Sequence, residues 1–354
     1  MRTDQPQNQL TLRDRAILKD VILTHILSAE PVSSRAVAKH GTHGLSAASI
    51  RNVMADLEEF GLLSQPHTSA GRVPTPKAYH LYIQSMMDQP TVPSDDRRYI
   101  DANLPSQGVG VEDLMTSTSQ LLSQLSHQVG IVLTPALAET VLKRVEFVRL
   151  TQGKVLCVVV SKSGFVDNKV ILTPEPVPRD ELARISNFVT ENFAGLTLKE
   201  AQEKLVLLMA EERAKVDLAL SRTIHLARQG LDLPKDQEIL MEGATEVLQQ
   251  PELSDIERVR RLFDTFADKA RMVFMLSQCM RGPGVRVTIG EDSDLTSELG
   301  FSLVTRTYQL GEKPLGTVGI FGPSRMQYQR VIPLVDYLGE RLSQALAATL
   351  PSGS

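Results

Sequence analysis

The residues best suited to chemistry lie between positions 46 and 72, and the chemistry they suit is nucleic-acid binding. Arg51 can bond to O6 and N7 of guanine, and Asn52 can bond to N6 and N7 of adenine. Ser46, Ala47, Ala48 and Ser49 come just before them, and such small side chains let the first turn of a helix enter a major groove. The free N–H groups at the start of a helix also favour a phosphate.

A polar loop with prolines at its ends follows this segment. Thr68 and Ser69 can donate hydrogen bonds to phosphates, Gly71 permits close approach of the backbone, and Arg72 can reach a phosphate or a minor groove. Arg35 flanks the segment on the other side. The predicted DNA-binding residues are Ser33, Arg35, Ser46, Ala48, Ser49, Arg51, Asn52, Thr68, Ser69 and Arg72.

The elements that must position these residues are three helices and a strand. Apolar spacing predicts helices over 12–29, 35–40 and 47–60, a strand at 62–64 and a further helix over 77–87. Ser33 and Ser46 are suited to cap helix starts, and Gly61 is suited to the C′ position. Three helices, a glycine turn at 41–44, a strand and a basic loop together predict a winged helix-turn-helix.

Two alternatives remain open for this segment. A three-helix module without affinity for DNA has the same pattern, and it would then serve as a protein-interaction module. In that case Arg35 and Asn52 are ordinary solvated side chains.

The remainder of the chain predicts an α+β fold. Residues 89–108 contain three prolines and few apolar residues, so we expect a linker. Beyond it, the pattern predicts a helix over 109–129, an antiparallel meander over 145–172, mainly helices over 179–278, strands at 285–289, 302–310 and 315–321, and a closing helix over 324–349.

Composition excludes several classes of protein. The 354 residues carry a net charge of −4 and are 42% hydrophobic, which is ordinary globular composition. The longest aliphatic run is 155–160, so we expect no membrane span, and the N-terminus lacks the apolar region of a signal peptide. A cytoplasmic protein is the simplest interpretation.

Catalytic and metal-binding motifs are missing from the sequence. Two cysteines, Cys157 and Cys279, cannot form a disulfide framework or a thiolate zinc site, and no histidine pair has metal-ligand spacing. There is no phosphate loop, serine-hydrolase elbow or zinc-protease motif. We therefore expect no enzymatic activity, no cofactor and no metal, and we expect Cys157 to be a buried, inert thiol.

Two long motifs carry a resemblance to a known family. Residues 31–83 read PVSSRAVAKHGTHGLSAASIRNVMADLEEFGLLSQPHTSAGRVPTPKAYHLYI, and residues 320–335 read IFGPSRMQYQRVIPLV. Both segments closely resemble HrcA, the heat-inducible transcription repressor family of bacteria, and a weaker match lies at Ile289-Gly290-Glu291. The resemblance covers nearly the whole chain.

The resemblance implies a fold, a function and partners. It implies a winged helix-turn-helix at 1–88, a linker at 89–108, and a GAF-like antiparallel-sheet domain at 109–354 with a mainly helical dimerisation insertion within 175–280. The family acts as a homodimer on double-stranded DNA, at an inverted-repeat operator called CIRCE, and the GroEL chaperonin modulates it. An alternative is a winged-helix regulator controlled by a small ligand in the GAF-like domain.

Overall fold

The computed structural model describes most of the chain. The described residues are 10–41, 44–67, 70–88, 91–105, 110–136, 140–151, 153–162, 166–212, 218–231, 237–248, 250–253, 256–280, 284–290 and 300–348. Within these ranges, no helix has the length and apolar character needed to cross a membrane.

The N-terminal unit consists of four helices and a two-stranded ribbon. Its elements are α1 (Leu12–Ser28), α2 (Ser34–His40), α3 (Ala47–Glu59), β1 (Leu63–Ser64), β2 (Val73–Pro74) and α4 (Pro76–Ser85). Thr11 and Asp14 form a capping box that begins α1. Gly61 has a φ of +71° and, with Leu62, closes the end of α3 by bonds to the carbonyls of Glu58 and Leu57. The local signals for helices in the sequence are thus confirmed.

A five-stranded antiparallel sheet forms the centre of the rest of the chain. Its strands are β3 (Val129–Leu133), β7 (Ile239–Glu242), β8 (Val285–Ile289), β9 (Phe301–Leu310) and β10 (Lys313–Pro323), in the order β7-β3-β10-β9-β8. An α+β fold with antiparallel sheets is therefore confirmed.

Helices cover both faces of this sheet. One face buries Val132, Val304 and Ile320 in the same core as α6 (Val111–Ser126) and α13 (Tyr328–Ala348). The other face buries Phe301, Phe321 and neighbouring residues against α10 (Ala244–Val247), α11 (Ile256–Ala267) and α12 (Lys269–Cys279). Alternate residues of each strand face opposite cores, which is why β3 is apolar and buried along its whole length.

A separate unit interrupts the five-stranded sheet between β3 and β7. It contains β4 (Leu142–Thr151), β5 (Lys154–Ser161) and β6 (Val166–Leu172), followed by α7 (Arg179–Phe193), α8 (Leu198–Glu212) and α9 (Leu218–Leu231). The three strands form the predicted meander. They form their own sheet, so the segment that interrupts the five-stranded sheet begins with the meander at 142 and ends where β7 begins at 239; the helical insertion expected within 175–280 overlaps this segment.

Residues 94–103 differ from the expected linker. They form helix α5 (Ser94–Asn103), which begins after Pro93 with Asp95 and Asp96 in its first turn, where carboxylates favour a helix. Ile100 is fully buried, and Asp101 accepts a hydrogen bond from the Tyr337 hydroxyl of α13 at 2.9 Å. The prolines flank the helix instead of interrupting it, so this segment is fastened to the core.

We predict that Ile100→Ala lowers the free energy of unfolding by about 2–5 kcal/mol, because it leaves a cavity under α5. The measurement is urea denaturation of the full chain. Arg98→Ala is the matched control, since the Arg98 side chain is 80% exposed, and it should change stability by less than about 0.5 kcal/mol. Equal effects of the two substitutions would contradict the docking of α5.

Candidate nucleic-acid interface

The N-terminal part of α3 presents the predicted reading residues to solvent. Ile50, Val53, Met54 and Leu57 are buried against the neighbouring helices. Because the helix repeats every 3.6 residues, the opposite face points outward, and Ala48, Arg51 and Asn52 are exposed. The sequence thus places its basic and amide side chains where a duplex can reach them.

Serines fix the starts of the two helices nearest this face. The Ser46 hydroxyl caps α3 by accepting the Ser49 N–H at 3.2 Å, and it also lies 3.1 Å from the Ser49 hydroxyl. The Ser33 hydroxyl caps α2 by accepting the Ala36 N–H at 3.2 Å. A hydroxyl that accepts a backbone N–H keeps its own proton for donation, so capping leaves Ser33 and Ser46 able to donate to a phosphate.

Three exposed cations lie on the two packed helices α2 and α3. They are Arg35 and Lys39 on α2 and Arg51 on α3. None of the three forms an ion pair with another residue that the structure describes. Exposed, unpaired cations favour an anionic partner, because their charges attract it.

Arg72 occupies a different place from the one that the sequence suggests. Its guanidinium holds the Glu58 carboxylate of α3 with two nitrogens, at 2.8 Å from Nε and 2.7 Å from Nη2. Its backbone forms an antiparallel bridge with Val32 through bonds of 2.8 and 2.9 Å. Arg72 therefore fastens the ribbon to α3 and to the start of α2. The sequence does not indicate the pairing of Glu58 with Arg72, because the two residues lie 14 positions apart and Arg72 follows an irregular loop.

Gly71 is needed for this fastening. A Cβ atom at this position would lie 2.5 Å from the backbone of Val32, closer than any real contact allows. The close approach predicted for Gly71 is thus to the chain itself. Thr68 and Ser69, the predicted phosphate donors of the loop, lie outside the described residues, and His67 before them is exposed.

A polar cluster lies where the N-terminal unit meets the sheet. His25 Nδ1 of α1 lies 2.7 Å from the Tyr79 hydroxyl of α4, and the Tyr79 ring packs 5.9 Å from the ring of Tyr328. Arg325, paired with Glu252, lies beside them. Burial, and then the charge of Arg325, lower the pKa of His25, while burial raises the pKa of Tyr79 well above 10. Neutral His25 can therefore accept a hydrogen bond from the Tyr79 hydroxyl.

Other polar groups have structural roles. Asp167 of β6 caps the start of α6 by accepting the Val111 N–H at 3.3 Å, beside a cavity of about 340 Å³, and burial raises its pKa. This carboxylate stabilises the packing of the interrupting unit on the sheet. Cys157 is buried, and burial raises the pKa of its thiol to about 12, as expected of an inert thiol. The described residues include no group of acids, histidines and cysteines arranged to hold a metal ion.

Comparisons with known proteins agree over nearly the whole chain. A family model described as "HrcA protein C terminal domain" matches residues 112–332. "Heat-inducible transcription repressor HrcA" of Geobacter sulfurreducens is 39% identical over 334 residues, covering 94% of this chain and 97% of that protein. The protein of the same name from Syntrophobacter fumaroxidans is 35% identical over 344 residues, covering 96% and 98%.

A solved structure shares the fold. A crystal structure of a hypothetical protein covers 96% of this chain and 99% of its own, with a TM-score of 0.73 and 22% sequence identity. At that identity the likeness concerns the fold.

We predict that stability falls as pH drops below about 6.5, in part because of His25. The unfolded chain binds a proton on this imidazole at the ordinary pKa of 6.5, before the folded chain can, so protonation favours unfolding. Thermal melting of His25→Gln between pH 7.5 and 5.5 should show a smaller loss of Tm than the parent shows. His67→Gln, at an exposed loop position, is the control, and identical slopes for parent and His25→Gln would refute the assignment.

Proposed function

The chain belongs to the HrcA family of heat-inducible transcription repressors, and we propose that it represses transcription by binding an inverted-repeat operator of the CIRCE type as a homodimer. The family is one of repressors and not of enzymes. We assign DNA binding to residues 1–88 as a winged helix-turn-helix. We assign assembly to a GAF-like domain, with the unit between β3 and β7 as its dimerisation insertion. This function implies a site of action in the cytoplasm, where the bacterial chromosome lies.

The observation that carries the proposal is the exposed face of α3. Arg51 and Asn52 combine exposure with the two side-chain types that read guanine and adenine best. We propose that α3 reads bases, with Ala48 allowing close approach. Ser33, Arg35, Ser46 and Ser49 would hold phosphates around it.

The ribbon has a supporting role in this proposal. Glu58 neutralises Arg72, and the guanidinium is only 18% exposed. We therefore assign to Arg72 the role of fixing the position of the β1–β2 ribbon and its loop, the proposed wing, relative to α3. The neighbouring Thr68 and Ser69 remain proposed phosphate donors, because their hydroxyls can donate hydrogen bonds to phosphates.

We further propose that GroEL favours the binding-competent form of this repressor. The family resemblance supports this part of the proposal. Titration of GroEL by unfolded proteins after heat shock would then relieve repression. A GroEL effect on operator affinity is the observation that separates this mode of control from control by a small ligand.

We predict that Arg51→Ala weakens operator binding by about 1–3 kcal/mol and relaxes base preference at one position of each half-site. The measurement is fluorescence anisotropy with a CIRCE-type duplex and a scrambled duplex, across a salt series, with and without GroEL. Arg98→Ala, an exposed arginine of α5, is the matched control.

The outcomes of this assay separate the parts of the proposal. Parent-like binding of both duplexes by Arg51→Ala would refute the role of Arg51. Equal, salt-independent and weak binding of both duplexes by the parent, even with GroEL, would refute DNA binding itself. Specific binding that ignores GroEL would refute the chaperonin part alone.

The outer face of the three-stranded sheet supports the proposed dimer. Helices α7 and α9 pack on its inner face, while the outer face carries an apolar row formed by Val148, Leu156 and Val170 in register. Val148 and Val170 are 46% and 51% exposed, and Leu172 beside them is 69% exposed. A continuous apolar sheet face is costly in water, and a second copy presenting the same face would cover it with two-fold symmetry.

We predict that Val170→Glu converts the dimer to a monomer, because each copy would bury an unpaired carboxylate in the apolar interface. Size-exclusion chromatography with light scattering gives the mass, and circular dichroism should show unchanged secondary structure. Phe274→Glu, at a position on α12 that is 66% exposed, is the control and should remain dimeric. A dimeric Val170→Glu protein would place the interface elsewhere.

A further inference from the structure

Arg325 joins the N-terminal unit to the sheet domain. It lies in the turn between β10 and α13, and its side chain is only 13% exposed. Nη1 donates to the backbone carbonyl of Ile26 in α1 at 3.3 Å. Nη2 donates to Gln250 at 2.9 Å and to Glu252 at 3.1 Å, and Nε donates to the second carboxylate oxygen of Glu252. One guanidinium thus joins two distant segments, α1 and residues 250–252, to the turn that carries Arg325.

The chemistry at this position specifically suits arginine. The Ile26 carbonyl belongs to the last turn of α1, whose carbonyls lack partners within the helix and carry the negative end of its dipole. A cation there is favourable, and a planar fork can satisfy a carboxylate and a carbonyl together. The Glu252 carboxylate balances the charge, so the junction is neutral as well as hydrogen-bonded.

Apolar packing surrounds this polar contact. The rings of Tyr79 and Tyr328 meet beside it, and the Tyr328 hydroxyl lies 2.8 Å from the hydroxyl of Ser302 in β9. Gly290 lies so close to Pro76 at the start of α4 that a Cβ atom would be 2.7 Å from the proline ring. Packing of this kind excludes water from the junction. The hydrogen bonds of the Arg325 guanidinium also fix the relative orientation of the two units, because the strength of a hydrogen bond depends on its angle, whereas apolar packing has no such dependence.

We propose that Arg325 is a positioning residue for DNA binding, which fixes the orientation of the N-terminal unit on the sheet domain. The inference rests on the proposed function. In a two-fold dimer, the two α3 helices must reach half-sites that lie one helical turn of DNA, about 34–36 Å, or a multiple of it apart. A small rotation at each junction shifts both reading helices, so a rigid junction sets which half-site spacing is bound best.

The test compares duplexes that differ only in geometry. One series carries two CIRCE-type half-sites whose separation changes in steps of one base pair, and a further duplex carries a single half-site. The parent should prefer one separation sharply. Arg325→Met should bind the best two-site duplex on the order of tenfold more weakly, because the two N-terminal units are no longer held in the orientation that this duplex requires. Its spacing profile, meaning its affinity as a function of half-site separation, should be flatter. Its affinity for the single half-site should stay within about twofold of the parent, since α3 itself is untouched.

Two further variants make the result specific. Glu252→Gln keeps the shape and the hydrogen-bonding capacity of the side chain while removing its charge, so it should flatten the spacing profile less than Arg325→Met does. Arg330→Met makes the same change five residues along the chain. Arg330 pairs with Asp96 of α5 at 3.4 Å, outside the N-terminal unit, so the spacing profile of Arg330→Met should match that of the parent.

Each outcome has a distinct meaning. Arg325→Met with the parent's spacing profile overturns the positioning role, and so does an equal loss by Arg325→Met on the two-site and single-site duplexes, which would indicate general damage to the fold. A parent that binds none of these duplexes, even with GroEL present, overturns the proposed function and this inference with it. A flattened profile in Arg325→Met and Glu252→Gln, with normal single-site binding, supports the inference.

Discussion

The antiparallel pairing of β3 with β7 is the constraint on which the architecture of this chain depends. The Thr134 N–H donates to the Glu238 carbonyl at 2.8 Å, and the Thr134 hydroxyl accepts the Glu238 N–H at 2.8 Å, so the two ends of the interrupting unit are tied together. Closure across about a hundred residues costs little more than closure across fifty, since each doubling adds only about 0.6 kcal/mol. The chain can therefore carry a complete folded unit at this point without disturbing the five-stranded sheet.

The same constraint separates three tasks in space. The sheet with its two helical layers is the rigid centre, the N-terminal unit is fastened to one side of it, and the interrupting unit leaves from the edge strand β7 and its neighbour β3. Within the N-terminal unit, the contrast between arginines is informative. Arg72 is held by Glu58 and stabilises the fold, whereas Arg51 is exposed and available to a ligand. Under the proposed function, this exposed cation is the one that meets the DNA.

Much of the N-terminal unit could be predicted because its signals are local. Ser46 caps α3, Gly61 ends it, and Ile50 to Leu57 repeat with the helical period, all within one stretch of chain. Strand β3 was missed because both of its faces are buried, so Val129–Leu133 shows no polar alternation. Helix α5 was missed because Ile100 is the single buried residue among its ten. The pairing of Arg325 with Ile26 joins residues 299 positions apart, and no local pattern can indicate it.

The outer face of the three-stranded sheet has a consequence for biogenesis. A newly made chain presents the apolar row on this outer face before a second copy covers it. Such a surface associates with other exposed apolar surfaces as well as with its own copy, so native assembly competes with aggregation. Because that competition depends on concentration and time, the yield of functional repressor is set by kinetics during synthesis as well as by the stability of the finished fold.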